Sequence, residues 1–359
     1  MSPAKKCRKE REKMNKDILR DDLADILPRL APLQEKLRGK RIFLSGGTGF
    51  FGKWLLESFV LINRQYGLGA TLTVLSRNPE KFLSEYPKFR AFQEIAFVQG
   101  DIRNFTFPAG HFDYVIHAAT EVSLKMDQER PEEMYSVILE GTRRILDFTA
   151  TSGAKKMLFL SSGAVYGTQP PELEHISEDF MNTPGFEGPE SAYGRGKLHS
   201  ERLCLEYAAM DRFYITIARC FAFVGPYLPL ETHLAVGNFI EDCLAGRPII
   251  IKGDGTALRS YMYAADLAVW LWTILTKGLH DRAYNVGSEQ EISIAGLAAE
   301  VNRCFGNSSE IQILQAPSED TLPARYVPGT GRARKELKLT MDFPLSKALG
   351  KTVRWYMEH

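Results

Sequence analysis

The segment Ser45-Gly46-Gly47-Thr48-Gly49-Phe50-Phe51-Gly52 constrains this chain more than any other. It closes a short apolar run, Arg41–Ser45, and leads directly into Lys53-Trp54-Leu55-Leu56-Glu57, a stretch of helical composition. Gly46, Gly49 and Gly52 stand in a GxxGxxG spacing. Residues without a Cβ permit a tight strand-to-helix turn, close approach of backbone to a pyrophosphate, and close packing of helix on strand. The helix start then offers free N–H groups and its positive dipole end to phosphate oxygens. A glycine triplet alone says little, but at a strand-to-helix junction it points to a dinucleotide.

The junction sits inside a longer alternation. Further short apolar runs occur at Thr71–Ser76, Ile95–Gln99, Tyr114–His117, Met157–Ser161 and Tyr214–Arg219, with helical stretches such as Lys53–Gln65 and Met134–Ser152 between them. Strands alternating with helices predict an α/β fold with a doubly wound parallel sheet and helices on both faces. Beyond Gly225-Pro226 the alternation loosens, which suggests a smaller substrate-facing lobe. The expected division is an N-terminal extension (1–39), a dinucleotide-binding unit (40–222) and a mainly substrate-binding lobe (223–359), with Tyr284–Gly287 as one more strand that could return to the sheet.

Composition excludes several classes. Of 359 residues, 44% are hydrophobic and 25% charged, the balance of a globular protein. Lys plus Arg (45) nearly cancels Asp plus Glu (44), so no global basic field argues for nucleic acid. The five cysteines are scattered without a CxxC pair, which predicts neither a disulfide framework nor a metal site and fits a reducing cytoplasm. No run approaches the roughly 18 apolar residues of a membrane span. Residues 1–16 are basic but lack an apolar core behind them, and read as a solvated tail rather than a secretory signal. From Asp17 to Leu37, apolar residues recur at helical spacing, interrupted by Pro28 and Pro32. One or two short amphipathic helices are expected there.

Where the second strand ends, a dinucleotide fold usually reads the adenosine ribose. Ser76 and Arg77 stand there, with no carboxylate for a free 2′-hydroxyl. A hydroxyl followed by a guanidinium suits a 2′-phosphate and favours NADP over NAD, unless Arg77 stacks on adenine or faces water. After the third strand, Asp101 either accepts from an adenine amine or caps a turn. After the fourth, Ala118 and Ala119 are small enough to let backbone lie against a cofactor, whereas His117 reads as a packed, hydrogen-bonded residue. Ser162 ends the fifth strand. Tyr193 and Lys197, four residues apart, share one helix face. A nearby ammonium is expected to lower the phenol pKa, making Tyr193 a base near neutral pH. A hydroxyl, a tuned phenol and a dinucleotide together describe alcohol–ketone hydride chemistry.

These segments resemble an extended short-chain dehydrogenase/reductase of the nucleotide-sugar (NAD-dependent) epimerase/dehydratase family. The resemblance spans roughly residues 40–355. It rests on GGTGFFG at 46–52, GDIR at 100–103, HAA at 117–119, SSGAVYG at 161–167, YGRGK at 193–197, RCFAFVGP at 219–226, GDGTALRSYMYAADLA at 253–268 and YNVGS at 284–288. It implies a Rossmann lobe for NAD(P) and a C-terminal lobe for a nucleoside-diphosphate sugar. By resemblance the catalytic set is Ser162, Tyr193 and Lys197. The implied cofactor contacts are Gly46, Thr48, Gly49, Phe50, Phe51, Gly52, Ser76, Arg77, Asp101, Ile102, Ala118, Ala119, Tyr193 and Lys197. The implied substrate contacts are Ser123, Ser162, Gly163 and Arg259, the last gripping the diphosphate. A cytoplasmic homodimer without metal, membrane or nucleic-acid partner is the corresponding expectation.

Departures from the family pattern narrow the chemistry. The dehydratases of this family place an Asp-Glu pair before VYG, and its decarboxylases tend to place a Glu there. Here Gly163 and Ala164 occupy those positions and exchange no proton. Ala222 and Ile138 stand where the family places Asn, which implies a remodelled pocket. The leading expectation is NAD(P)-dependent epimerisation of a nucleotide sugar by oxidation and reduction at C4. The alternatives are an NADPH-dependent 4-ketosugar reductase, a dehydratase or decarboxylase with a displaced acid/base such as Glu121 or Lys125, and a non-catalytic dinucleotide sensor.

Overall fold

The computed structural model describes residues 18–358 apart from 120–123, 184–185, 211–212, 231–233 and 319–321. The expected tail at 1–16, and Ser123 and Glu121, lie outside the described residues. So does the side chain of Lys125. A seven-stranded parallel sheet forms the centre. Its strands are β1 (Arg41–Ser45), β2 (Thr71–Ser76), β3 (Ile95–Gln99), β4 (Tyr114–His117), β5 (Lys156–Ser162), β6 (Tyr214–Cys220) and, after the short strand β7 (Leu258–Ser260), β8 (Arg282–Val286). Across the sheet the order is β8-β6-β5-β4-β1-β2-β3. The order reverses between β1 and β4, so the carboxyl ends of these two strands diverge into the crevice where such sheets take ligands.

Both faces are buried, as a parallel sheet requires. Along β1, Ile42 and Leu44 point into one apolar layer, and Phe43 into the other. The first layer packs under α2 (Phe50–Gln65), and the second under α4 (Pro131–Thr151) and α5 (Ala192–Ala208), which follow the short helix α3 (Leu124–Glu129). Helix α6 (Ala264–Lys277) is buried along nearly its whole length, having no polar stripe to show to water. Helix α7 (Leu345–Met357) comes last, after a second, small sheet. In that three-stranded sheet, β9 (Glu291–Ser293) and β10 (Arg325–Tyr326) flank β7.

The N-terminal segment forms the expected short helices, at 18–30 and Gln34–Leu37, but Pro28 does not interrupt the first. Helix α1 (18–30) runs through Pro28, and Pro32 instead lies in a 3₁₀ turn at Ala31–Leu33. A proline inside a helix forfeits one backbone hydrogen bond. Burial of Ile26 and Leu30 compensates, together with two anchors. Arg29 Nη1 donates to Asp266 Oδ1 at 2.5 Å and Nη2 to the Thr340 carbonyl at 2.8 Å. The fully buried Asp22 carboxylate accepts from Tyr263 and pairs with Lys351. Among the described residues no helix is long and apolar enough to cross a membrane, and no cluster of His, Cys, Asp or Glu suits a metal.

Candidate functional site

The glycine segment is shaped by contact with its own backbone. Gly46 has φ +77°, and a Cβ on it would lie 2.5 Å from Ala118 C and Ala119 N. A Cβ on Gly52 would lie 2.3 Å from the Gly46 carbonyl oxygen. Gly49 is exposed and precedes α2 with no side-chain cap, so the first N–H groups of that helix point out of the turn. A turn closed on one side by glycine contacts and open on the other to unpaired donors fits a dinucleotide pyrophosphate. Phe51 packs edge-on against Phe223, at 4.9 Å between ring centroids, so its side chain holds the turn while its N–H serves the helix start.

At the end of β2, Arg77 is exposed, while the Ser76 hydroxyl accepts from the Asn78 N–H at 3.3 Å. Asp101 makes a turn: its Oδ1 accepts from the Arg103 backbone N–H at 3.0 Å and from Nε at 2.8 Å. The Arg103 guanidinium holds that carboxyl below its ordinary range. Ile102 packs against Gly141 of α4 rather than opening into the crevice. His117 lies between Ser45 Oγ, at 2.8 Å, and Thr142 Oγ1, at 3.2 Å, and burial followed by the Lys197 charge pushes its pKa down to about 3. It is a packed, neutral imidazole.

The structure brings Ser162, Gly163, Tyr193 and Lys197 together where β5 ends and α5 begins. Ser191 caps α5 by accepting from the Gly194 N–H at 3.0 Å, which sets Tyr193 in the first turn. Beneath the ring lies a small apolar cluster of Met126, Met134 and Ile138. One of the family's two Asn positions has thus become packing. Lys197 Nζ donates to the Leu160 carbonyl at 2.7 Å and lies 4.9 Å from the centre of the Phe159 ring.

Electrostatics here correct the expectation of a phenol tuned by its lysine. Burial pushes Tyr193 up to about 12; the Ser162 hydroxyl opposes this, and Cys220 and Asp127 add to it. Burial likewise pushes Lys197 down to about 8. The ammonium is turned toward the Leu160 carbonyl and the Phe159 ring, so desolvation governs both groups.

Two residues escaped the sequence reading. Asp127, on α3, accepts a hydrogen bond from the Tyr193 backbone N–H at 2.8 Å. Tyr326, on β10, also reaches the Ser162 hydroxyl, and its ring packs 4.7 Å from that of Phe221. Its neighbour in register on β7 is Arg259. The Arg259 guanidinium donates to the Leu258 carbonyl at 2.8 Å, and its charge acts on the Tyr326 phenol. Tyr261 and Tyr263 beside it are buried packing residues.

Comparison with known proteins agrees with this fold. The model of the NAD dependent epimerase/dehydratase family matches residues 42–287. UDP-glucuronic acid decarboxylase 1 of Xenopus tropicalis is 26% identical over 331 residues, covering 91% of this chain and 75% of that protein. The UDP-glucose 4-epimerase of Thermotoga maritima, solved with UDP-glucose, superposes with a TM-score of 0.73 at 20% identity, covering 88% of this chain and 98% of that one. DesIV of Streptomyces venezuelae, a dTDP-glucose 4,6-dehydratase with NAD and TYD bound, gives 0.74 at 22% identity, covering 89% and 97%. The fold is shared with both structures.

Proposed function

Because this chain belongs to the NAD dependent epimerase/dehydratase family, we propose that it catalyses oxidation and reduction at C4 of a nucleoside-diphosphate sugar, with net epimerisation. The observation that carries this reading is the Ser162–Tyr193 pair beside Gly163 and Ala164, a site with a phenol and a hydroxyl but no carboxylate at either position. Gly46, Gly49, Gly52 and the start of α2 would hold the dinucleotide, with Lys197 on its ribose. When bound, that cofactor accepts and returns hydride. Tyr193 takes the proton of the C4 hydroxyl, Ser162 orients the same oxygen, and Arg259 holds the diphosphate. The buried phenol is a strong base once ionised, which suits transient proton removal from an alcohol.

One-way reduction of a 4-ketosugar uses the same residues. The exposed Arg77, which follows the Ser76 hydroxyl at the end of β2, supports NADP as the partner of that reaction. The decarboxylase relatives favour a second reading, in which C4 oxidation of a nucleotide-linked uronic acid is followed by loss of carbon dioxide. A carboxylate β to the new ketone leaves without an acid/base pair, so Gly163 and Ala164 do not oppose it. Elimination of water does need such a pair.

The deciding experiment incubates the protein with NAD or NADP and UDP- or dTDP-linked hexoses, hexuronic acids and 4-ketosugars, and identifies products by mass and carbohydrate NMR. A C4-inverted hexose or a reduced 4-ketosugar supports the proposal. Loss of carbon dioxide from the uronic acid selects the second reading. Robust loss of water would overturn both.

A further inference from the structure

The glycine at 163 and the tyrosine at 326 are one feature. A Cβ on Gly163 would lie 2.6 Å from Tyr326 Oη and 2.8 Å from two atoms of the Phe221 ring. Any side chain at 163 would therefore displace the phenol. In exchange for the missing side chain, the site holds a second phenol that, like Tyr193, reaches Ser162. Tyr326 comes from a separate sheet in the C-terminal lobe, more than 160 residues from Ser162 in sequence. It is placed by the pairing of Arg325 with Leu258 and of Tyr326 with Arg259. It thus neighbours both the Ser162 hydroxyl and the Arg259 guanidinium assigned to the diphosphate.

Ser162 is equipped to connect the two phenols. Its Oγ accepts from the Ala164 N–H at 3.1 Å, which fixes the oxygen and leaves its proton to point elsewhere. Both phenols act on this hydroxyl. Burial raises both phenols, so neither ionises without a partner to take its proton.

We infer that Tyr326 is a further catalytic residue, which returns a proton to the sugar oxygen and is recharged from Tyr193 through Ser162. The inference rests on the C4 reading above. In the oxidative half, the Tyr193 phenolate forms its O–H bond as that of the sugar hydroxyl breaks. In the reductive half, the Tyr326 O–H bond breaks and the sugar O–H bond forms. Ser162 then gives its proton to Tyr326 and takes the one on Tyr193, which restores the starting phenolate. No proton is gained from or lost to solvent over the cycle. Two phenols joined by one hydroxyl match a reaction whose alcohol oxygen changes place between substrate and product.

Tyr326→Phe keeps the ring against Phe221 and removes only the hydroxyl. The full-length protein, loaded with oxidised dinucleotide, is mixed with the nucleotide sugar that turns over. Cofactor reduction in a single turnover is recorded beside steady-state product formation. We expect reduction within about twofold of the unaltered protein and product formation lower by about 100-fold. Ser162→Ala should slow both. Unchanged product formation in Tyr326→Phe would overturn the relay alone, as would an equal fall in both halves, the signature of lost packing. No cofactor reduction in the unaltered protein with any sugar would overturn the C4 reading and the relay with it.

Discussion

Asp127 accepts a hydrogen bond from the backbone N–H of Tyr193 at 2.8 Å, so a carboxylate from α3 sits at the first turn of the helix that carries the proposed base. The placement suits the helix, whose N-terminal dipole favours an anion. It opposes ionisation of the phenol, since a negative charge nearby disfavours a second one.

Asp127→Asn keeps the acceptor and removes the charge. The phenol should ionise more readily, and the limb on which turnover rises with pH should move to lower pH. The kcat–pH profile of the two proteins measures this. An unmoved limb would show that the charge is fully screened.

Tyr193→Phe should lower turnover by about 100-fold or more while dinucleotide binding survives, because only the proton-transferring oxygen is lost. Initial rates alongside cofactor titration by fluorescence separate the two. Near-normal turnover would remove Tyr193 from the reaction.

Lys197→Met should stabilise the empty protein while weakening cofactor binding. Burial depresses the Lys197 pKa from 10.5 to about 8. A folded pKa below the unfolded one means that folding releases a proton between those values, a penalty carried in full below about pH 8 and relieved toward 10.5. Denaturation midpoints of the unaltered protein should therefore rise across that window relative to those of the methionine variant. Parallel midpoints would contradict a desolvated ammonium.

NADP should bind more tightly than NAD by at least about 1 kcal/mol if Arg77 grips a 2′-phosphate, and Arg77→Ala should erase most of that difference. Calorimetric titration with both dinucleotides is the measurement. Tighter NAD binding by the unaltered protein would reverse the assignment.

Arg29→Met should cost about 3–5 kcal/mol, since it leaves the fully buried Asp266 carboxylate without its guanidinium. The carboxyl pKa is already raised by burial, an effect that Arg29 opposes. Unfolding midpoints in urea report the loss.

The sheet was legible because its strands are short, apolar and punctuated, and a doubly buried strand has no other way to read. The glycine turn was legible because its spacing answers a steric demand that neighbours within a few residues create. Tyr326 was not legible. It stands in Ala324-Arg325-Tyr326-Val327-Pro328, a segment without periodicity, and reaches Ser162 through strand pairing that spans the lobe. Asp127 was missed for a related reason, since its role is to cap a helix 66 residues away. The sign of the Tyr193 shift failed because spacing reports which residues share a face, whereas the pKa follows from how much water reaches them. Pro28 misled in the same way, its local cost being outweighed by contacts from the other end of the chain.

Those distant contacts also bear on how the polypeptide is made. Arg29 finds the Thr340 carbonyl 311 positions later, and Asp22 finds Lys351 after 329. Helix α1 is synthesised well before the Thr340 and Lys351 that anchor it. Until then the apolar stripe of Ile26 and Leu30 lacks the anchors that seat it. Such a stripe invites chaperone holding or association between nascent chains. Seating of α1 is thereby a late event in folding, coupled to completion of α7.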